Sequence, residues 1–391
     1  WFMTIKEGIY YLANENIKLN KINENIIEAI EIDTLTGEMY IAFDDKTVGK
    51  LNRLNNKYYY DIISEGGGSI STLKYNYKDS SVLIGGVRND LEYLKKDRLK
   101  VKKGFGNFAV KSFIIDSNNI YIVNSFGIKI IKEDKEIYNS VDEGQPRIWG
   151  SSLIKNKDKL WIGTNEGVRV FKDKTITNPF AGNKYLSSSI TSMEQLNEEI
   201  FLIGTKSYGV LVIQKNSIID IIDKEDGLLG NLIRTIHVDN QKVIWLGTTT
   251  GLSRIDYKEN KKYEIYNLTT KQGLVSGEII DICSYKNTIY VATLKGLIEF
   301  DKTKIIANGT PPPVYITGFK VNTVRRKIKP NTELTYQENF ININYEGLNY
   351  RSLGEVEYQY RILGVDTNWT STSTRTVQYP TLKSGDYTFE V

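Results

Sequence analysis

Leu160-Trp161-Ile162-Gly163-Thr164, followed by Asn165-Glu166-Gly167-Val168, is the stretch on which the fold turns. It returns as Ile244-Trp245-Leu246-Gly247-Thr248 before Thr249-Thr250-Gly251-Leu252. Looser copies are Ile120-Tyr121-Ile122-Val123 before Gly127, and Ile289-Tyr290-Val291-Ala292 before Gly296. The apolar run reads as a buried strand, and the glycine at its end leaves room for a neighbouring layer to approach closely. A polar turn follows, closed by a second glycine that can take positive φ. The next strand alternates, as in Val168-Arg169-Val170-Phe171 and Leu252-Ser253-Arg254-Ile255.

Outward from these copies, the residue before the turn falls at Met3, Ala42, Gly85, Val123, Gly163, Gly204, Gly247 and Ala292, spaced 38 to 45 residues apart. Another apolar strand precedes most copies, at residues 27–32, 70–75, 110–115, 190–196, 233–238 and 279–283. A more polar strand, such as residues 261–266, follows as an outer edge. Four strands at a period of about 41 residues predict the blade of a β-propeller. Leucine-rich repeats have a shorter period, and helical repeats need a 3.6-residue periodicity that period-2 alternation excludes here. Residues 1–308 are therefore expected to form an all-β propeller. Its first copy lacks an inner strand, so seven complete copies, from about Ile26 to Ala307, predict seven blades, with eight as the alternative.

Composition agrees with this reading. The chain has 391 residues, 40% of them hydrophobic, with 26 tyrosines, 31 glycines and seven prolines, which suits strands joined by tight turns. Its net charge of +4 arises from 51 basic and 47 acidic residues, a mixed surface unlike the basic stripe of a nucleic-acid binder. Runs such as Lys95-Lys96-Asp97-Arg98 read as solvated turns. The single cysteine, Cys283, excludes an internal disulfide and reads as a small core residue. No apolar run approaches the ~18 residues of a membrane span, and no signal peptide is recognisable. The chain opens at Trp1 inside a repeat and stops at Val391 inside a strand, as a portion of a longer protein would.

Pro311-Pro312-Pro313 ends the repeat pattern, so residues 309–313 read as a stiff linker. Beyond it, residues 314–321, the strictly alternating Phe340-Ile341-Asn342-Ile343-Asn344-Tyr345, and Val356-Glu357-Tyr358-Gln359-Tyr360-Arg361 read as strands. Trp369, Tyr379 and Gly385-Asp386-Tyr387-Thr388-Phe389 complete a module over residues 314–391 that is expected to be a small Ig-like β-sandwich.

The segments Glu225-Asp226-Gly227-Leu228-Leu229-Gly230-Asn231 and Lys271-Gln272-Gly273-Leu274-Val275-Ser276-Gly277, each ahead of an inner strand, join the Trp-Ile-Gly-Thr turns in resembling the two-component regulator propeller repeat. The C-terminal residues resemble the three-tyrosine module that follows such propellers, represented here by Tyr358 or Tyr360, Tyr379 and Tyr387, with Trp369 part of the signature. The resemblance implies the extracytoplasmic sensor of a membrane-anchored bacterial receptor, with a transmembrane helix and a histidine kinase, or less often a diguanylate cyclase, in parts not contained here. It also implies an oligosaccharide or other small ligand and a homodimeric receptor, with no nucleic-acid partner.

Catalytic signals are sparse. The one histidine, His237, sits in an inner strand and reads as structural. One histidine and one cysteine cannot build a metal site rich in those residues, and no cofactor is expected. Gly66-Gly67-Gly68 lacks the lysine and helix of a phosphate loop, and Asp44-Asp45 and Arg88-Asn89-Asp90 lack calcium-loop spacing. Ligands of propellers usually gather on the face where the inner strands begin. Candidates there are Arg88, Asn89, Phe126, Asn165, Lys206 and Tyr208 from the turns, and Lys111, Gln145, Arg147, Trp149 and Arg234 from the inner-strand starts. Planar donors beside aromatic platforms suit a sugar, which favours Arg147, Trp149, Tyr208 and Arg234. Trp149 stands where a neighbouring copy has Ala109, whereas Trp161 and Trp245 lie in the repeated strand and read as structural. The competing functions are a propeller lyase or glycosidase acting on polysaccharide, and an adhesion or scaffold module.

Overall fold

A computed structural model describes residues 2–4, 8–10, 16–54, 57–64, 68–88, 91–95, 98–102, 108–258, 262–305, 313–327, 329, 331–348 and 356–391. The chain divides into two compact units, residues 14–306 on the one hand and residues 1–13 with 307–391 on the other.

Among the described residues, the strands of the larger unit group into seven four-stranded antiparallel motifs, of which the second and third are joined into one eight-stranded sheet by Phe108–Asp116 pairing with Ser81–Arg88. Their inner strands are Ile27–Ile32, Ile70–Asn76, Phe108–Asp116, Gly150–Asn156, Ile190–Gln195, Thr235–Val238 and Ile279–Tyr285. Each inner strand packs beside the next, and the last packs beside the first, which closes a ring. The apolar clusters lie between blades. One joins Trp161 and Val168 to Phe201, Ile203 and Leu211 of the following blade. Another joins Ile27, Ile41 and Phe43 of the first blade to Cys283, Ala292 and Leu297 of the last. Two features escaped the sequence. The inner strand Gly150–Asn156 begins Gly-Ser-Ser and lacks the apolar start of most of its counterparts. The last blade takes its outer strand from the other end of the chain, with Ile17–Asn20 pairing antiparallel to Gly296–Asp301. The strands Phe2–Thr4 and Gly8–Tyr10 pair with each other in a separate two-stranded sheet.

The recurring Gly-Thr has a physical explanation at both residues. A Cβ on Gly163 would lie 2.3 Å from Ser152 Oγ and 2.6 Å from Ile190 Cγ2, an atom of the next blade. The threonine hydroxyl closes the turn, because Thr164, Thr205, Thr248 and Thr293 each donate to the carbonyl of the glycine ending it, over 2.6 to 3.0 Å. That second glycine has positive φ at Gly167 (98°) and Gly296 (127°). Gly251 keeps an ordinary φ, contrary to the sequence reading. It is glycine because a Cβ would meet the Leu268 carbonyl oxygen at 2.3 Å.

In the C-terminal unit, a sheet ordered Val324–Arg326, Val314–Val321, Ile341–Gly347 and Thr376–Tyr379 accompanies a second of Thr370–Thr372, Tyr358–Leu363 and Thr388–Glu390. Their core contains Ile341, Ile343, Tyr345, Tyr358, Ile362, Val377 and Tyr379. Tyr358 accepts from Gly347 N at 3.0 Å, Tyr379 donates to Asp366 at 2.9 Å, and Tyr387 donates to the Lys383 carbonyl at 3.1 Å. Tyr360 stacks near Phe389 with ring centroids 6.4 Å apart. Trp369 is exposed, with the Arg361 guanidinium 4.5 Å from its ring.

Candidate functional site

The face where the inner strands begin is built by a repeated irregularity. Six of the seven inner strands carry a register shift after the first rung, which leaves Glu28, Ser71, Lys111, Ser151, Thr191 and Ile280 between successive ladder pairs. Such bulges bend a strand and re-aim one side chain. Arg234 holds the corresponding place in the remaining blade, just ahead of the Thr235–Gly247 rung. Ser71 and Ser151 use this position to reach the next blade, donating to Val110 O at 2.8 Å and Ile190 O at 2.7 Å. Charged residues occupy three of the others. Burial and then the nearby Asp44 raise the Glu28 carboxyl above its ordinary range, while Arg234 and Lys111 both pull it down. Lys111 and Arg234 thus both lie close enough to Glu28 to act on its charge. Arg234 is also ion-paired with Glu278, and among the described residues Lys111 makes no ion pair. Glu28 and Glu278 were missed by the sequence reading, although the alignment of inner strands places Glu28 in the same column as Lys111.

Arg147 and Trp149 form a second group on this face. Trp149 is 60% exposed and Phe126 38%, and the Arg147 guanidinium lies 5.6 Å from the Phe126 ring centroid. The strand-like run is fixed by Ile148 N donating to Phe126 O at 3.2 Å and Asn165 N to Trp149 O at 3.3 Å. An exposed guanidinium and two exposed rings have no packing role to explain them. Tyr208 is different: it is half-buried edge-on against Tyr185, with centroids 5.1 Å apart, and belongs to the packing of its blade. Lys206 and Asn165 are exposed turn residues, and Gln145 accepts from Ile176 N at 2.9 Å. The Arg88 backbone ends a strand and pairs with Phe108, whereas its side chain and Asn89 lie outside the described residues.

The opposite half of the axis is a cavity of about 1110 Å³ whose lining includes Glu31, Lys74, Glu194, His237, Asp281 and Ser284. Four of these share one rung of the repeat: Glu31, Lys74, Glu194 and His237 pair with Tyr40, Leu83, Leu202 and Trp245. Lys74 lies 3.5 Å from Glu31, which holds its ammonium well above the ordinary lysine range. Its side chain is 48% accessible, because it projects into the channel while remaining inside the ring. Burial raises Glu194, and it lifts Asp281 to about 7 even though Ile30 N and Ile282 N both donate to that carboxylate. His237 bonds Ser284 Oγ at 2.8 Å, and burial lowers it to about 4, so it is a neutral structural histidine. Burial likewise pushes the Cys283 thiol up. Among the described residues, no three His, Cys, Asp or Glu side chains gather as a metal site.

Ring and sandwich together define a β-propeller protein carrying a C-terminal β-sandwich module. Residues 349–391 match the Y_Y_Y domain. Histidine kinase P4 of Formosa agariphila is 25% identical over 424 aligned positions, which take in 99% of this chain and 29% of that protein. The chain therefore spans less than a third of that relative's length. The extracellular domain described as that of a hybrid two-component system of B. thetaiotaomicron has the same fold, with a TM-score of 0.76 at 20% identity over 96% of this chain and 54% of that one. Virginiamycin B lyase from Staphylococcus aureus is similar in fold over a smaller share, with a TM-score of 0.57 at 15% identity, covering 73% of this chain and 97% of that one. No helix among the described residues is long and apolar enough to cross a membrane.

Proposed function

We propose that this chain is the extracytoplasmic, ligand-sensing part of a bacterial transmembrane receptor of the two-component type. The observation that carries the reading is the likeness of 96% of the chain, propeller and sandwich in one order, to the extracellular domain described as that of a hybrid two-component system. The 99% coverage by a histidine kinase supports it. Kinase activity belongs to parts of the receptor outside this chain, and the receptor works as a homodimer. The ligand is an oligosaccharide or a comparable small polar molecule on the face where the inner strands begin. Trp149 and Phe126 offer apolar platforms there, and Arg147, Lys111 and Arg234 offer charged donors. For signalling, the ligand must bind the active arrangement more tightly than the resting one.

The likeness to a lyase keeps an enzymatic reading in view. Against it, His237 is neutral, bonded to Ser284 and set on the far half of the axis from the exposed cations. A calorimetric screen of oligosaccharides separates the two readings. Saturable binding without turnover is expected. Arg147→Ala with Trp149→Ala, or Lys111→Ala with Arg234→Ala, should weaken it at least about tenfold, or 1.4 kcal/mol. Turnover of a glycan would sink the sensor reading, and affinity unchanged in both double variants would move the site elsewhere.

A further inference from the structure

Arg234 and Asp239 stand at the two ends of one short strand. Arg234 N donates to Gly247 O at 2.8 Å, the rungs from Thr235–Gly247 to Val238–Ile244 follow, and Asp239 N donates to Val243 O at 3.0 Å. This inner strand of the sixth blade is thus paired along its whole length. At about 3.3 Å per residue, the backbone from 234 to 239 spans roughly 17 Å. One end lies in the candidate ligand face, where Arg234 is ion-paired with Glu278. The other end meets the place where the chain leaves the propeller, since residues 302–306 are the last of that unit.

Lys302 holds that exit. Its ammonium bonds the Asp239 carboxylate at 2.9 Å and Asn240 Oδ1 at 2.8 Å, and the Lys302 and Asp239 side chains are 3% and 0% exposed. The Trp245 indole N–H donates to the same carboxylate at 3.2 Å. Arg254, the rung partner of Trp245, donates to the carbonyls of Lys302 at 3.2 Å and Ile305 at 2.6 Å. Burial pushes the Asp239 carboxyl up, but hydrogen bonds from Lys302 and Trp245 outweigh it and hold the group below its ordinary range, so the pair is ionic.

A blade does not need this cluster in order to form. Trp161 occupies the same rung in the fourth blade, where its rung partner is Val170 and Asn156 stands in the place of Asp239. There the indole N–H has no partner among the described residues. A buried ion pair is often no more stabilising than apolar side chains of the same size, and its attested use is to fix one arrangement. The sixth blade carries such a pair at the joint from which the chain leaves the ring.

We propose that Asp239 and Lys302 form a latch that makes the exit segment, residues 302–306, follow the inner strand of the sixth blade, so that a displacement at Arg234 reaches the end of the propeller. The latch has two arrangements, closed with Lys302 on Asp239 and open with the exit segment released. Asp239 and Lys302 are then positioning residues for the signal. That the displacement at Arg234 comes from a ligand rests on the sensor reading above; the latch itself does not.

A nitroxide on Lys304→Cys, an exposed position of the exit segment, reads the latch, and the native Cys283 is buried and escapes the label. Asp239→Asn with Lys302→Met removes both charges and keeps both shapes. This double variant should leave the urea midpoint of the chain unchanged while the rotational correlation time of the label falls at least about twofold. Lys302→Met alone leaves Asp239 with Trp245 and the amides of Gln241 and Val243, and it should loosen the label equally. It carries the test if the double variant does not fold. Arg234→Glu sets a second carboxylate against Glu278 at the near end of the strand. It should loosen the label when the latch is intact and add nothing when the latch is cut. A label equally ordered in the native chain and in the latch variants overturns the proposal. So does Arg234→Glu with no effect, or with the same effect whether or not the latch is present. No ligand enters these measurements, so their failure leaves the sensor reading to the oligosaccharide screen, and a failed screen leaves the latch standing.

Discussion

Asp281 and His237 face the same cavity with opposite demands on pH. Asp281 looks onto Glu31 and Lys74, and its carboxyl is raised to about 7 by burial. An unfolded aspartate titrates near 3.9, so the folded chain holds a proton there that the unfolded chain has released. This contribution to stability is complete below about pH 4 and is lost as pH rises toward 7. His237, beside Asp239 and Ser284 and under the field of Lys74 and Lys302, is lowered to about 4. The unfolded histidine takes up a proton below about 6.5, so here stability is lost as pH falls from there toward 4. The two slopes oppose each other across the acid range. Relative to the native chain, Asp281→Asn should gain on the order of 1 kcal/mol per pH unit between about pH 4 and 7 and nothing further above, on top of a pH-independent offset for the backbone donors it serves less well. His237→Gln should gain in the reverse direction, as pH falls below about 6.5. Urea unfolding at several pH values measures both; parallel curves for native chain and variant would refute the assignment for that residue.

At the scale of the strand, one blade repeats a few local solutions. The glycine ending the second strand lies where the inner strand of its own blade and the start of the next both approach. A Cβ on Gly247 would lie 2.7 Å from both Ile279 Cγ2 and Thr235 Cγ2. Gly247→Ala should therefore cost about 1–3 kcal/mol through overpacking. Gly230→Ala, where a Cβ would meet nothing within 4 Å, should be close to neutral. Thermal unfolding compares the two; equal effects would mean that close blade contact is not what selects glycine. These devices were legible in the sequence because turn, glycine and alternation all lie within about ten residues of one another. The bulges were not. A bulge is a relation between two strands, and the residue that it re-aims, Lys111 or Glu28, looks like any other member of an alternating run.

At the scale of the molecule, the ring closes through residues 17–20, whose rungs pair Ile17 with Phe300 and Leu19 with Ile298. Without them the buried strand Gly296–Asp301 would present a bare edge, a template for pairing with another chain. Removing residues 1–13 should leave the midpoint of thermal unfolding of the propeller nearly unchanged. Removing residues 1–21 should lower it and promote association between chains, measured by calorimetry and light scattering. Equal midpoints and equal masses for the two truncations would show that the closing strand adds nothing.

The sequence by itself determined the blade: its four strands, its period, its glycines and threonines, and the tyrosine-rich sandwich that follows. Those features rest on local spacing, which the pleat of a strand and the geometry of a turn translate directly into structure. Only the tertiary structure decided which residues meet at the axis. Glu31, Lys74, Glu194, His237 and Asp281 are spread over 250 positions, and they share one cavity because the ring brings inner strands side by side. The same holds for the two tryptophans. Their motifs are nearly identical in sequence, yet the Trp245 indole N–H is bonded to Asp239 of its own blade, which Lys302 of the following blade also bonds, whereas the Trp161 indole N–H has no partner among the described residues. Tyr208 shows the converse: a plausible binding aromatic in the sequence, it is committed to its own blade by Tyr185.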